Sequence, residues 1–257
     1  MKKRLLCFDV DGTLRDNVTN EVSSSTRHTL QLLKDQGYLL AISSGRGVDS
    51  LKKTGIMELI AWDGFVCNNG QVVLDGKQQV LFQAVMKKEA VEKTIEVANQ
   101  LGFAVILKSH PRLITREPNE YVFETQRYFQ NMIPDVGVYH GQDVDAMTVH
   151  GPHGYDYEPF THIEGINVLP GESTYADLTI KGVSKATGIS KLLKLYQLDG
   201  YIAFGDSLND MDMFEHADIS IAMGQGNDRL KAVATFVTKS IDQDGIEYAC
   251  RQIHLIP

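Results

Sequence analysis

The segment Leu5-Leu6-Cys7-Phe8-Asp9-Val10-Asp11-Gly12-Thr13-Leu14 constrains the fold more than any other part of the chain. A short apolar run, with the length and bounding of a buried strand, stops at two aspartates one residue apart, and Gly-Thr follows at once. The aspartates then lie at the carboxyl end of a strand, where open α/β sheets bind ligands. Two carboxylates there repel one another unless a cation or a shared proton relieves them. That points to a hard metal ion and to chemistry on an anionic substrate. Taken alone, Asp-x-Asp also reads as a turn or a helix cap. A helix–loop–helix calcium loop is excluded, because Gly12 stands at its fourth position and Thr13 at its fifth.

The strand placement gains weight from what surrounds it. Ser23-Ser24-Ser25 starts a helix whose apolar face carries Leu30 and Leu33, with Gly37 as its C-terminal cap. A second buried strand is expected over 38–43, a short helix near 47–54 and a strand over 64–68. The last third alternates in the same way: strand 175–180, helix 184–196, strand 200–204, a helix from Ser207 and strand 218–222. This pattern predicts an α/β fold, a Rossmann-like doubly wound parallel sheet. Residues 83–179 read as an inserted α+β module. It has helix 87–101, strands at 103–108, 112–115, 144–149 and 164–169, and a helix near 124–132. The expected division is a core of 1–82 and 180–257 with a cap of 83–179.

The net charge of −8 argues against recruitment of nucleic acid or an anionic membrane. Positive groups for an anionic substrate must therefore be placed locally. Cys7, Cys67 and Cys250 lack the spacing of a disulfide framework or a zinc site, and Cys7 and Cys67 read as small core residues. The basic start, Met1-Lys2-Lys3-Arg4, leads into an apolar run that ends at Asp9, too short for a signal peptide core or a membrane span. A cytoplasmic location is expected, and Asn17-Val18-Thr19 is then a chance glycosylation sequon.

Three more segments place polar groups at strand ends. Ser43-Ser44-Gly45-Arg46 supplies a hydroxyl and a glycine that lets backbone N–H groups approach a phosphate oxygen, or simply caps a helix. Lys185 opens helix 184–196, where a cation is disfavoured by the helix dipole unless an anion or carboxylates lie nearby; Lys181 competes for that place. Gly205-Asp206-Ser207-Leu208-Asn209-Asp210 delivers a second acidic strand end to the edge that carries Asp9.

Together these segments resemble, in order, the four motifs of the haloacid dehalogenase superfamily. The long insert between the second and third is similar to the Cof-type phosphatases with a C2 cap. Gly182-Val183-Ser184-Lys185 resembles that subfamily's third motif, which favours Lys185, and Asn69-Gly70 is similar to a recurring element there. The resemblance implies a Mg²⁺-dependent phosphatase of sugar phosphates or similar small metabolites. Asp9 is then the nucleophile that forms an aspartyl-phosphate, and Asp11 the general acid and base. The implied metal set is Asp9, the backbone carbonyl of Asp11, Asp206 and Asp210, with Asn209 in support. Ser44, the Gly45 N–H, Arg46, Lys185 and Asn209 make up the phosphate-facing set. Asp11 separates the phosphatases from the dehalogenases, which lack this second acid. A sugar phosphomutase and a non-catalytic phosphate-ligand module are the alternatives. The expected protein is a monomer or homodimer acting on a small phosphorylated metabolite, with no nucleic-acid or membrane partner. Substrate choice is expected in the insert, where Lys108, His110, Arg112, Arg116, His150 and His153 read chiefly as solvated surface groups. Met211 and Met213 read as packing, and Gly224-Gln225-Gly226 as a turn.

Overall fold

A computed structural model describes residues 4–171 and 173–257. The first strand is expected over 3–9, and residue 3, with the rest of the basic start before Arg4, lies outside the described residues. In chain order the strands and helices are β1 (Leu5–Phe8), α1 (Ser24–Asp35), β2 (Leu39–Ser43), α2 (Val48–Lys53), β3 (Gly64–Cys67), β4 (Val72–Asp75), β5 (Val80–Gln83) and α3 (Lys88–Leu101). They continue with β6 (Ala104–Ser109), β7 (Leu113–Ile114), α4 (Glu120–Tyr128), β8 (Val144–His150), α5 (Glu158–Thr161), β9 (Ile166–Pro170) and β10 (Tyr175–Ile180). The last are α6 (Lys185–Tyr196), β11 (Tyr201–Gly205), α7 (Met211–Glu215), β12 (Ile219–Ala222), α8 (Asp228–Val233), β13 (Phe236–Val237) and α9 (Gly245–Gln252).

The chain divides into two compact units, one running to Phe82 and resuming at Ser184–Pro257, the other Gln83–Val183. The return to the first unit comes later than residue 179 because β10 runs on to Ile180, pairing with β9, and the Val183 N–H then closes a turn on the Ile180 carbonyl.

In the first unit the sheet order is β13-β12-β11-β1-β2-β3-β4-β5. The pairs from β13 through β3 are parallel, and β4 returns antiparallel to β3. Alternation along β1 sends Leu6 and Phe8 into one core and Leu5 and Cys7 into the other. α1 and α9 supply Leu30, Leu33, Ala249 and Cys250 to the first core. α6 and α7 supply Ile189, Leu192, Met213 and Phe214 to the second. This is a doubly wound sheet; Cys7 and Cys67 on its strands and Cys250 on α9 are all free and buried. Ser23 caps α1 by accepting from the Thr26 N–H, and Gly37 takes a left-handed φ of 84° just beyond its end. The β4–β5 pair was not expected; Asp75-Gly76 between two apolar runs is the signal for it.

The second unit is a five-stranded sheet, β7-β6-β8-β10-β9, whose pairs are antiparallel. α3 and α5 cover one face through Val91 and Phe160. Val122 of α4 packs on the other, against Ala104, Ile106 and Ile114. α4 begins at Glu120, earlier than expected, because Asn119 accepts from the Val122 N–H and caps it there.

Covering both faces of this sheet buries His150, which corrects its reading as a solvated residue. Among the described residues neither ring nitrogen has a hydrogen-bond partner. Burial lowers its pKa from 6.5 to about 4; the charge of Asp177 opposes this, while Lys108 and Arg112 reinforce it. Below pH 6.5 the unfolded chain takes up a proton that the folded chain refuses until about pH 4. Between those limits the unfolded state binds more protons, so stability falls as the pH drops, by about 3 kcal/mol in all from this residue. Chemical denaturation of wild type and His150→Phe at pH 7 and pH 4.5 tests this. The variant should gain on wild type at the lower pH by about 2–3 kcal/mol, whereas a pH-independent difference would refute it.

Candidate active site

β1 and β11 are adjacent and parallel, with Phe8 opposite Phe204. The Asp9 N–H continues the ladder by donating to the Phe204 carbonyl at 2.9 Å. Both strands therefore deliver their following acids, Asp9 and Asp206, to one sheet edge. Carboxylate oxygens of Asp9, Asp206 and Asp210 all lie within 4.8 Å of one another. Asp210 is held from below, accepting from the Asp206 and Ser207 N–H groups at 3.0 and 3.1 Å. Thr13 Oγ1 donates to Asp206 Oδ1 at 3.2 Å.

Gly12 is required between these groups. Its φ is 82°, and a Cβ there would sit 2.1 Å from Asp206 Oδ2. Gln225 pins the same loop, donating from Nε2 to the Gly12 carbonyl at 2.5 Å and accepting the Ile241 N–H at 2.9 Å. The Gly224-Gln225-Gly226 turn thus has a task its sequence did not disclose.

Lys185 is the first residue of α6, after a capping box in which Ser184 accepts from the Thr187 N–H. The helix start sits directly on Asn69-Gly70, where a Cβ on Gly70 would fall 1.9 Å from the Ser184 carbonyl oxygen. That approach aims Lys185 at the acids. Its ammonium donates to Asp9 Oδ1 and Asp210 Oδ1, both at 2.6 Å, and its side chain is 0% exposed. Burial pulls the Lys185 pKa down, but Asp210 and Asp9 outweigh it and hold the group well above its usual range. Lys181 is exposed and belongs to the other unit.

The ammonium bonds two of the three carboxylates and reaches Asp206 only through its charge. Burial is the main cause that raises Asp9 to about 7; Lys185 opposes it, while Asp210 and Asp11 add to it. Asp206 is raised for the same leading reason, with Asp9 and Asp210 adding their charge. An acid cluster so short of positive charge fits a divalent cation, and its donors are all hard oxygens.

The Asp11 carboxylate is not part of this cluster. Arg46 forks onto it, Nε to Oδ2 at 2.6 Å and Nη2 to Oδ1 at 2.8 Å, and Arg46 Nη1 also donates to Ser50 at 2.9 Å. Arg15 adds Nη1 to Oδ1 at 3.3 Å, a contact not foreseen from the sequence. Ser44 follows β2, beside β1, and its Oγ accepts the Arg46 N–H at 3.1 Å. Asn209 donates to Asn69 Oδ1 at 3.2 Å and accepts from Ser207. The structure thus brings Asp9, Asp206, Asp210 and Lys185 together and pairs Asp11 with Arg46. It links Asn209 to the Asn69 loop, whose N–H in turn bonds the Ser44 carbonyl.

The family model of haloacid dehalogenase-like hydrolases matches residues 6–250. The chain belongs to that family. This haloacid dehalogenase-like hydrolase is 28% identical over 261 residues to YkrA of Bacillus subtilis, named as a phosphatase, with 100% of each chain covered. It is 31% identical over 261 residues to a Streptococcus pyogenes protein named as a bifunctional phosphatase and peptidyl-prolyl cis-trans isomerase. That match covers 99% of this chain and 55% of the relative, so the chain spans about half the length of that protein. Among solved structures it is similar to the subclass IIB sugar phosphatase BT4131, at a TM-score of 0.89 and 28% identity over 99% of this chain and 100% of that one. The hydrolase is a Cof-type phosphatase of the superfamily, a phosphoric monoester hydrolase. Among the described residues no helix is long and apolar enough to cross a membrane.

Proposed function

We propose that the protein hydrolyses small phosphomonoesters, sugar phosphates among them, with Mg²⁺ and through an aspartyl-phosphate on Asp9. The observation that carries this reading is the meeting of Asp9, Asp206 and Asp210 around one buried lysine at the carboxyl ends of β1 and β11. Likeness to a subclass IIB sugar phosphatase supports the substrate class.

Asp9, Asp206 and Asp210 would hold the ion, with the backbone carbonyl of Asp11. When bound, Mg²⁺ neutralises the clustered acids and the charge on the transferring phosphoryl group. Lys185 fixes Asp9 Oδ1, so Oδ2 is the attacking atom. A bond forms from Oδ2 to phosphorus as the ester P–O bond breaks, and Asp11 gives its proton to the leaving oxygen. Water then attacks phosphorus, Asp11 takes its proton, and the P–O bond to Asp9 breaks to release phosphate. Ser44, the Gly45 N–H and Lys185 stabilise the phosphoryl oxygens, and Asn209 steadies the loop beside them. Arg46 reaches the reaction through Asp11, to which its guanidinium is bound. Residues 83–183 contribute substrate selection.

Purified protein should release phosphate from p-nitrophenyl phosphate only with Mg²⁺ present. EDTA should abolish turnover and lower the melting temperature, and Mg²⁺ should restore both. Undiminished turnover after exhaustive chelation would refute the metal-dependent reading.

A further inference from the structure

We propose that Arg15 is a positioning residue for Asp11, anchoring Oδ1 while Oδ2 turns from Arg46 Nε to the substrate. The inference rests on the reading of Asp11 as the acid that protonates the leaving group. Arg46 spans both oxygens of Asp11. In that arrangement both oxygens already accept guanidinium N–H groups, and a substrate oxygen that approaches Oδ2 competes with Arg46 Nε for it. Oδ2 is held by Arg46 Nε, while Oδ1 is held by both guanidiniums. Opening the Nε bond frees Oδ2 and leaves Oδ1 tied to Arg15 Nη1 and to Arg46 Nη2.

Arg15 is built to stay in place. Its backbone N–H donates to Val10 O and its carbonyl accepts the Gly12 N–H, each at 2.8 Å, closing the loop that carries Asp11. Its Nε donates to the Asn20 carbonyl at 3.0 Å, and its side chain is 7% exposed. A fork from Arg46 would alone satisfy the Asp11 carboxylate. Burying a second guanidinium against the first adds repulsion that ion pairing by itself does not call for. The arrangement makes sense if Asp11 has two states, one forked by Arg46 through both oxygens and one anchored through Oδ1 only, where Arg15 supplies the second anchor.

The test compares two aryl phosphates under Mg²⁺. Phenyl phosphate leaves as a more basic oxygen than p-nitrophenyl phosphate and depends more on the acid. Arg15→Leu should lower kcat on both, with a loss roughly tenfold larger on phenyl phosphate, and leave KM unchanged. Arg15→Lys should recover most of the difference, and Arg15→Gln supplies the reading if the leucine variant does not fold. Equal loss on the two substrates, or none, would overturn the proposal. Asp11→Asn run alongside separates the two ideas. If it shows no leaving-group preference, the role given to Asp11 fails. If it shows one and the Arg15 variants do not, the role of Arg15 alone fails.

Discussion

Asp9→Asn is expected to lower kcat for phosphomonoester hydrolysis by at least about a thousandfold while the protein stays folded. The amide keeps the volume of the carboxyl but supplies no nucleophilic oxygen, and Lys185 retains Asp210 as a partner. The same substitution should stabilise the metal-free protein at alkaline pH. Asp9 titrates near 7 in the folded chain, chiefly because it is buried, against 3.8 as the reference for the unfolded chain. Between those values the folded state holds a proton that the unfolded state has lost. Its contribution is therefore fully present below about pH 4 and disappears as the pH rises through 7. At pH 8 the ionised, buried Asp9 destabilises the metal-free fold by on the order of 4 kcal/mol, which asparagine removes. Calorimetry in EDTA should show the variant melting above wild type at pH 8 and level with it near pH 4. Mg²⁺ should narrow the gap at pH 8, because only the wild type has all three acids. A variant with full turnover, or one less stable than wild type at pH 8 in EDTA, would contradict the role and the charge balance respectively.

Lys185→Met is expected to destabilise the protein by about 3–5 kcal/mol near pH 8, because it strands two buried carboxylates without a counter-ion. The fully buried ammonium sits 2.6 Å from each of them, so no water replaces it without reorganising the site. For a chain of this size that corresponds to a melting temperature lower by roughly 10 °C. The loss should shrink on acidification, as a proton takes the place of the ammonium, and shrink again with Mg²⁺. Turnover should be lost in every condition, since the lysine also serves the phosphoryl oxygens. An unchanged melting temperature at pH 8 in EDTA would show that Lys185 does not neutralise the cluster.

Much of this site was legible in the chain because its parts are local. The run from Leu5 to Phe8, the stop at Asp9 and the Gly205-Asp206 strand end report their own backbone and their own position in a sheet. Caps such as Ser23 and Ser184 are local too, since a hydroxyl reaches N–H groups only two or three residues on. Arg15 was not legible. A basic residue four positions after an acid reads as a helical pair, but here the intervening residues make a tight loop that turns both side chains into the site. Nor was the burial of His150. Along β8 every residue is buried, since helices cover both faces of that sheet, and alternation then carries no information.

The amino-acid sequence by itself determined the elements, their order and which residues end strands at a ligand-binding edge. Those follow from periodicity and from short-range hydrogen bonding. Only the tertiary structure decided which charges meet: Lys185 with Asp9 across 176 residues, Arg46 with Asp11 across 35. Such pairs depend on the register of β1 against β11 and β2 and on how closely α6 settles on Asn69-Gly70, and no local pattern encodes a distance between segments that fold independently in sequence.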